Sequence, residues 1–406
     1  MKATLPITIL LSLSVVLSSC SHKKQVQAAS WEDLYRQGET ANYQGRYQQA
    51  ERSFLQALKL AQDFGADDLR LPKTLNSLGG LAGKQGKYQI AEQHFEQALL
   101  IYRRVLGPES AEVGKTENLL GVVSLDQGRF RESEGHYMRA LQILSASYGK
   151  EDPRVGPALL NLGALYLHMN READAEDYLK QSLALWDKAE GSEGADLPWA
   201  LGNLGTLYLK QKRLDEADPL IRRAYEIDRK TMGEDHPDSI SRLSLLALLN
   251  LMQKHPHEAD TMLKKVAASQ ERIFGGQHPA LASTLNNRGL ALMDMNENKE
   301  AEEQFRRALQ IYEKNYGPNS TSVSDVMMPL AGAVSRQGRT SEAESLYKRA
   351  ITIAETAYGS NHPHLADVLE MYASFLRGQN RGEEADKLSS KAQTIRARNA
   401  PGRSAS

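Results

Sequence analysis

The 406-residue chain contains little of several residue types that common protein classes need. It has one cysteine, Cys20, so an internal disulfide is impossible. Aromatic residues make up 6% of the chain and β-branched residues are sparse beside Ala and Leu, which argues against an extensive β-sheet. Its 50 Lys and Arg residues are balanced by 51 Asp and Glu, so no basic field attracts nucleic acid. We therefore expect a helical protein with no nucleic-acid partner.

Sequence motifs of catalysis are also missing. The chain has no Gly-rich phosphate loop ending in Lys-Ser/Thr, and no H-E-x-x-H, C-x-x-C or G-x-S-x-G motif. We expect a protein that is not an enzyme, with no cofactor and no metal. An unrecognised enzyme or small-ligand binder is the least favoured alternative.

The amino terminus has the layout of a secretory signal peptide: Lys2, an apolar run over residues 5–17, then small residues. Its end, LSSC, resembles the lipobox of bacterial lipoproteins. The resemblance implies removal of residues 1–19 and lipidation of Cys20, whose acyl chains anchor the protein to a lipid bilayer. Ser21, rather than Asp, favours the outer membrane with the protein facing the periplasm. An ordinary secretory signal with a chance cysteine is the alternative. Residues 20–30 are predicted to be a polar tether.

Beyond the tether, small residues recur with a fixed period. Eight anchors stand 42 residues apart: Ala91, Ser133, Ala175, Ala217, Ala259, Ala301, Ala343 and Ala385. Gly or Ala lies twelve positions before each anchor, and an acid follows it directly. Small residues at such offsets let two helices cross closely. A chain too long for one compact core is therefore predicted to be a stack of helix pairs.

An aromatic residue lies four positions after several anchors, at Phe95, Tyr137, Phe305 and Tyr347. Phe54 lies at the same distance after Ala50, which joins the anchors one residue out of phase. With this aromatic residue, the pattern resembles the tetratricopeptide (TPR) repeat, and the 42-residue period resembles the longer repeat of kinesin light chains. The resemblance implies an all-α, right-handed α-solenoid of about nine TPR helix pairs over residues 31–396. A disordered tail is predicted over residues 397–406.

The joints between pairs are nearly repeated words: GEDHPDSI, GGQHPALA and GSNHPHLA. Glycine ends a helix where the chain turns through positive φ, and proline starts the next because its missing N–H is not needed there. The histidines His236, His278 and His362 are predicted to be structural, since helices about 8–10 Å apart cannot bring them to one metal ion. The acid after each anchor is predicted to make a local hydrogen bond or to face solvent.

Three residues depart from the repeat. Glu117 and Arg288 stand where apolar residues are usual, and Pro329 falls inside a first helix, which it should bend or shorten.

The TPR resemblance implies that the first helix of each pair lines the concave side. Asparagines recur on these helices: Asn161, Asn203 and Asn287 share one position of the repeat, and Asn76, Asn118 and Asn286 lie one residue before it. A side-chain amide both donates and accepts, so such a row suits the backbone of an extended peptide. In kinesin light chain repeats, asparagines here contribute to the cargo groove. The alternative is that they tie neighbouring helices together.

The stripe of first-helix residues that faces the concave side also changes character along the chain. Lys73, Lys84 and Lys115 lie on or beside it early. Apolar side chains occupy it later: Leu248, Leu251, Met252, Met293 and Met328. We hypothesise a partner segment that is acidic toward the first repeats and apolar toward the last, so that charge reversal at Lys73 and Lys115 weakens its capture. Burial of the apolar stripe between repeats is the alternative.

These features predict a membrane-anchored TPR scaffold of the bacterial cell envelope, which binds proteins or peptides in its concave groove. One alternative is a structural subunit of an envelope assembly that binds through its outer faces. A patch of exposed apolar residues on the outer helices would favour that alternative.

Overall fold

The computed structural model describes residues 30–188 and 196–399. The predicted signal peptide, Cys20, most of the tether and residues 400–406 lie outside this range. Within it, all regular structure is helical: eighteen α-helices and one short 3-10 turn, Pro153–Val155, with no strand. The predicted all-α fold of nine helix pairs is confirmed for the described residues.

The helices belong to two compact units, of which the first ends at Tyr148 and the second begins at Gly149. The first unit has three pairs: α1 (Trp31–Tyr43) with α2 (Tyr47–Asp63), α3 (Arg70–Lys84) with α4 (Tyr88–Leu106), and α5 (Ala111–Asp126) with α6 (Phe130–Tyr148). The second unit has six: α7 (Gly156–His168) with α8 (Glu172–Lys188), α9 (Leu197–Lys210) with α10 (Leu214–Met232), α11 (Pro237–Met252) with α12 (Pro256–Phe274), α13 (Pro279–Asp294) with α14 (Asn298–Tyr316), α15 (Thr321–Arg336) with α16 (Thr340–Tyr358), and α17 (Pro363–Gly378) with α18 (Gly382–Arg398).

Within each unit, the two helices of a pair have different neighbours. First helices of consecutive pairs contact each other, as α3 does with α1 and α5, and as α11 does with α9 and α13. Second helices of consecutive pairs make no such contact among the described residues. First helices therefore line the narrower, inner side of each unit, and second helices lie outside.

The two helices of a pair cross where the repeat places its small residue. A methyl group at Gly79 would lie 2.6 Å from Cε1 of Phe95, and one at Gly289 would lie 2.5 Å from Cε1 of Phe305. Both rings are buried. The small residue is therefore needed because the aromatic ring of the second helix packs directly on the backbone of the first.

The G-x-x-H-P joints act as predicted. Gly275 ends α12 with φ of 83°, and Pro279 is the first residue of α13. His278 is the N-cap of α13: its Nδ1 accepts a hydrogen bond from the backbone N–H of Ala280 at 3.2 Å. The equivalent bonds at His236 and His362 have the same length. The predicted structural role of these histidines is confirmed, since each satisfies an N–H that the first helical turn leaves free.

Several of the acids that follow the anchors also pair with an arginine of the next helix pair. Glu176 is hydrogen-bonded within its own helix to Lys180 at 2.7 Å, but it also pairs with Arg213 of the next helix pair at 3.0 Å. These partners hold the pKa of Glu176 at about 2. The same link recurs six and eight helices later, between Glu302 and Arg339 and between Glu344 and Arg381, both at 2.7 Å. The prediction of a purely local bond was incomplete, because the partner lies on the following pair.

Two departures from the repeat find partners. Arg288 donates a hydrogen bond from Nε to Oδ1 of Asp260 at 2.8 Å. It takes the place of the arginine that pairs with the acid in other repeats, because the next pair carries Glu297 at that position. Glu117 is buried, and its carboxylate pairs with Nη2 of Arg103 at 2.5 Å and with Nδ1 of His136 at 2.7 Å. Burial alone would raise the pKa of Glu117, but His136 and Arg103 keep it below its ordinary value.

Pro329 was predicted to bend or shorten its helix; the helix is not shortened, and a bend stays a prediction. Pro329 lies inside α15, which has 16 residues like α13 and α17. The neighbouring side chains Met328 and Leu330 are buried. Their packing offsets the loss of one backbone hydrogen bond at the proline.

No helix among the described residues is long and apolar enough to cross a membrane. The same residues contain no group of three or more His, Cys, Asp or Glu side chains that could hold a metal ion.

Candidate partner-binding surface

The predicted asparagines differ in what they contact. In the first unit, Asn76 donates from Nδ2 to Thr116 Oγ1 at 2.9 Å, which ties α3 to α5. Its Oδ1 is buried without a hydrogen-bond partner. Asn118 and Asn161 are half-buried and have interaction partners of their own. For Asn76, the structure therefore favours the alternative that asparagines join neighbouring helices.

In the second unit, two asparagines remain available. Asn203 on α9 and Asn287 on α13 are half-buried, and neither side chain makes a hydrogen bond within the described residues. Oδ1 of the adjacent Asn286 is buried and also lacks a partner. Amides that are held on a helix and unpaired suit a ligand that brings both donors and acceptors.

A cavity of about 530 Å³ opens on the inner side between α9, α11 and α13. Hydroxyl and amide groups line it at Thr206, Ser241, Ser244, Ser283, Thr284, Gln270 and Asn287. Apolar parts of its wall come from Ile240, Leu245, Leu248 and Phe274. The mixture of apolar wall and neutral polar groups resembles sites that bind a peptide by its backbone and one or two side chains.

One charged residue, Arg242, is among the described residues that line this cavity. It is 5% exposed, and its Cζ lies 4.3 Å above the ring of Trp199. Its Nε is 3.4 Å from Oδ2 of Asp228 on α10. Burial raises the pKa of Asp228 to about 6 and lowers that of Arg242. Arg242 was not among the residues predicted from the sequence, although it stands where seven other repeats carry threonine, alanine or valine.

The predicted apolar stripe is divided between core and surface. Met328 and Leu251 are buried in the core, and Met293 is partly buried and packs against it. Met252 is half-buried, and Leu248 lines the cavity. Burial between repeats therefore accounts for part of the stripe, and partner contact at Met252 and Met293 stays a prediction.

The lysines predicted to attract an acidic segment belong to the first unit and are exposed. Lys73 Nζ lies 4.6 Å from the ring centre of Tyr35. Lys115 Nζ lies 3.3 Å from Glu112. An acidic partner would have to compete with these contacts, and its capture there stays a prediction.

Large apolar side chains are exposed on the outer helices of the first unit. Leu55 on α2, Leu100 on α4 and Met138 on α6 are exposed, Leu100 by 67%. Next to Leu100, α4 and α6 flank a cavity of about 700 Å³ whose wall includes Glu117, Arg103 and His136. Exposed apolar groups of this kind are typical of protein-contact surfaces.

The repeated architecture has relatives among known proteins. The tetratricopeptide repeat model matches residues 32–104, 70–134, 112–188, 196–272, 256–314 and 322–398. The chain belongs to the tetratricopeptide repeat family. A search of curated proteins found no match.

Solved TPR structures share the fold at low sequence identity. A Rap protein complexed with Competence and Sporulation Factor is 13% identical, with 92% of this chain and 97% of that chain covered and a TM-score of 0.58. Aspartyl phosphate phosphatase F from Bacillus subtilis is 14% identical, with 91% and 95% covered and a TM-score of 0.54. A putative kinesin light chain from Podosopora anserina is 22% identical, with 49% and 94% covered and a TM-score of 0.43. The likeness to the Rap protein and to phosphatase F concerns the fold alone.

Membership of the TPR family supports a scaffold for protein–protein interaction, with protein or peptide partners. TPR proteins are generally scaffolds rather than enzymes.

Proposed function

We propose that this TPR protein is a scaffold tethered to a membrane of the bacterial cell envelope, and that it binds an extended protein segment on the inner helices of its second unit. The supporting observation is two unbonded amides: Asn287 lines the hydroxyl-lined cavity, and Asn203 lies on α9 one helical turn before Thr206, which also lines it. Amides on α9 and α13 would meet successive parts of an extended backbone. A fold relative crystallised with Competence and Sporulation Factor is consistent with this mode.

Binding at this face is tested with a double variant, Asn203→Ala with Asn287→Ala. After crosslinking in the native envelope and co-purification, we expect partner recovery to fall at least severalfold, because the backbone would lose hydrogen bonds at two points. Thr261→Ala on the outer helix α12 is the control, since Thr261 is exposed and bonds only to its own helix. Equal recovery by all three proteins would contradict the proposal.

The membrane tether is proposed from the lipobox-like end at Cys20. Lipid on this residue would hold the protein at the outer membrane, facing the periplasm. Cys20→Ser should move the protein from the membrane to the soluble fraction, and mass spectrometry of the natural protein should find a mature chain that begins with acylated Cys20. Residues 1–19 retained on an unacylated, membrane-free protein would refute the tether and leave the binding face unaffected.

A structural subunit of an envelope assembly, binding by its outer faces, is the second candidate. The exposed Leu55, Leu100 and Met138 of the first unit favour it. Replacing all three with Ser should release the protein from a large envelope complex if this candidate is right. The same complex should then tolerate the Asn203 and Asn287 changes.

A further inference from the structure

The Arg242 guanidinium is unusually poorly paired for a buried charge. It makes no hydrogen bond within the described residues, and Nε and Nη2 are buried without a partner. Its ion pair with Asp228 is long, at 3.4 Å, and Oδ2 of Asp228 also lacks a hydrogen bond. A guanidinium has five N–H donors, and leaving buried donors unpaired costs stability. Packing alone would be served better by the threonine, alanine or valine that seven other repeats carry at this position.

The surroundings of Arg242 indicate the charge of a missing partner. The other described residues that line the cavity are neutral, so Arg242 is the one charged group that a ligand would meet on this wall. The carboxylates of Asp228 and Asp238 act on Arg242 from outside the lining. A carboxylate, with a single negative charge, matches one guanidinium. A phosphate carries nearly two negative charges, for which no second lining cation is present among the described residues.

Apolar groups border the same place. The ring of Trp199, which covers Arg242, is 42% exposed, and Phe274 and Leu248 belong to the cavity region. The row of inner helices continues on both sides of the cavity, with α7 contacting α9 and α15 contacting α13. An extended chain can therefore enter and leave, which favours a carboxylate from an internal side chain over a chain terminus.

We infer that the cavity between α9, α11 and α13 recognises an Asp or Glu side chain, next to an apolar residue, within an extended peptide segment of the partner, and that Arg242 is the group that binds the carboxylate. This inference rests on the proposed function and specifies its ligand. The acidic residue is placed in the second unit, whereas the sequence analysis placed it against the lysines of the first unit.

The test uses the full-length protein in detergent micelles and a display library of random twelve-residue segments, flanked on both sides by carrier protein so that only side chains supply carboxylates. We expect selected segments to contain Asp or Glu beside an apolar residue. In fluorescence anisotropy, replacing that acid by its amide should weaken binding to the natural protein about tenfold to a hundredfold. Arg242→Gln should abolish most of this preference.

Arg288→Gln is the matched control, because Arg288 also pairs with a buried acid on an outer helix but does not line the cavity. It should retain the preference for the acidic segment. A second variant, Asp228→Asn, keeps the inference testable if Arg242→Gln does not fold. It removes an acid that competes for Arg242, so binding of the acidic segment should become severalfold tighter. Unchanged or weaker binding to folded Asp228→Asn would overturn the inference.

The outcomes separate this inference from the proposed function. Segments that show no preference for acid, yet lose binding in the Asn203→Ala, Asn287→Ala variant, would overturn the inference alone. Segments that bind equally to Arg242→Gln, to the Asn203→Ala, Asn287→Ala variant and to the natural protein would contradict the proposed function as well.

Discussion

Gly79 and Gly80 are neighbours in α3, and the structure predicts different effects on stability for their replacement by Ala. Neither has a left-handed backbone, so alanine fits the backbone conformation at both positions. A methyl group at Gly79 would lie 2.6 Å from Cε1 of Phe95, whereas nothing lies within 4 Å of one at Gly80. The two variants therefore share the change in helix propensity and differ in the steric contact.

The magnitudes follow from these two contributions. Alanine is favoured over glycine in a helix by about 1 kcal/mol, so Gly80→Ala should raise the free energy of unfolding by about that amount. Gly79→Ala has the same gain, but it forces a fully buried ring or the helix backbone to move, which costs about 1–3 kcal/mol or more. The difference between the variants isolates this steric cost, and Gly80→Ala should be the more stable by about 1–3 kcal/mol.

The assay is urea unfolding followed by circular dichroism, with hydrogen exchange of α3 and α4 to locate the change. Exchange is needed because stacked repeats unfold in parts rather than as one unit. Equal stability of the two variants, or a Gly79→Ala protein more stable than the natural one, would refute the packing described for the helix crossing.

Three further predictions concern single side chains. Pro329→Ala should raise the free energy of unfolding by up to about 3 kcal/mol, and with it the thermal midpoint, because it restores a helical N–H donor. A lower midpoint would show that the proline ring itself is needed for packing. His278→Ala should lower stability by about 1 kcal/mol and His278→Asp should restore most of it, since both His and Asp can cap α13; equal loss in both would argue against capping. Arg381 and Lys348 hold the pKa of Glu344 at about 2, so the stability it contributes is complete above its ordinary pKa of 4.5 and is lost as pH falls toward 2. Glu344→Gln should therefore melt below the natural protein at pH 6 and together with it near pH 2, and a constant difference at both pH values would contradict the assignment.

Local signals in the sequence predicted the fold. The 42-residue period located the helix crossings, and each G-x-x-H-P joint combined a helix stop with a helix start, so the boundaries of α13 and α14 followed from a few residues. The cap made by His278 was predicted only as a structural role. The sequence does not show which ring nitrogen accepts the hydrogen bond, because that depends on how the ring is oriented toward the N–H of Ala280.

Contacts between helix pairs were harder to predict. The Asn76 amide is hydrogen-bonded because Thr116 stands opposite it on the next inner helix. Asn287 has no such partner among the described residues. Arg242 is buried because Trp199 covers it from the preceding inner helix and Asp228 approaches from an outer one. Its position in the repeat was a usable signal, since an arginine stands where seven other repeats carry threonine, alanine or valine. Which side chains surround it could be known only from the packed helices.

The central claim, that partners bind to the inner helices of the second unit, is tested most directly by photo-crosslinking from a single position. A photoreactive amino acid is placed either at Ser283, which is exposed and lines the inner cavity, or at Thr261, which is exposed on the outer helix α12. The account predicts that, in the native envelope, Ser283 gives a crosslinked partner that the Asn203→Ala, Asn287→Ala variant loses, and that Thr261 does not. A partner crosslinked from Thr261 and never from Ser283 would contradict it.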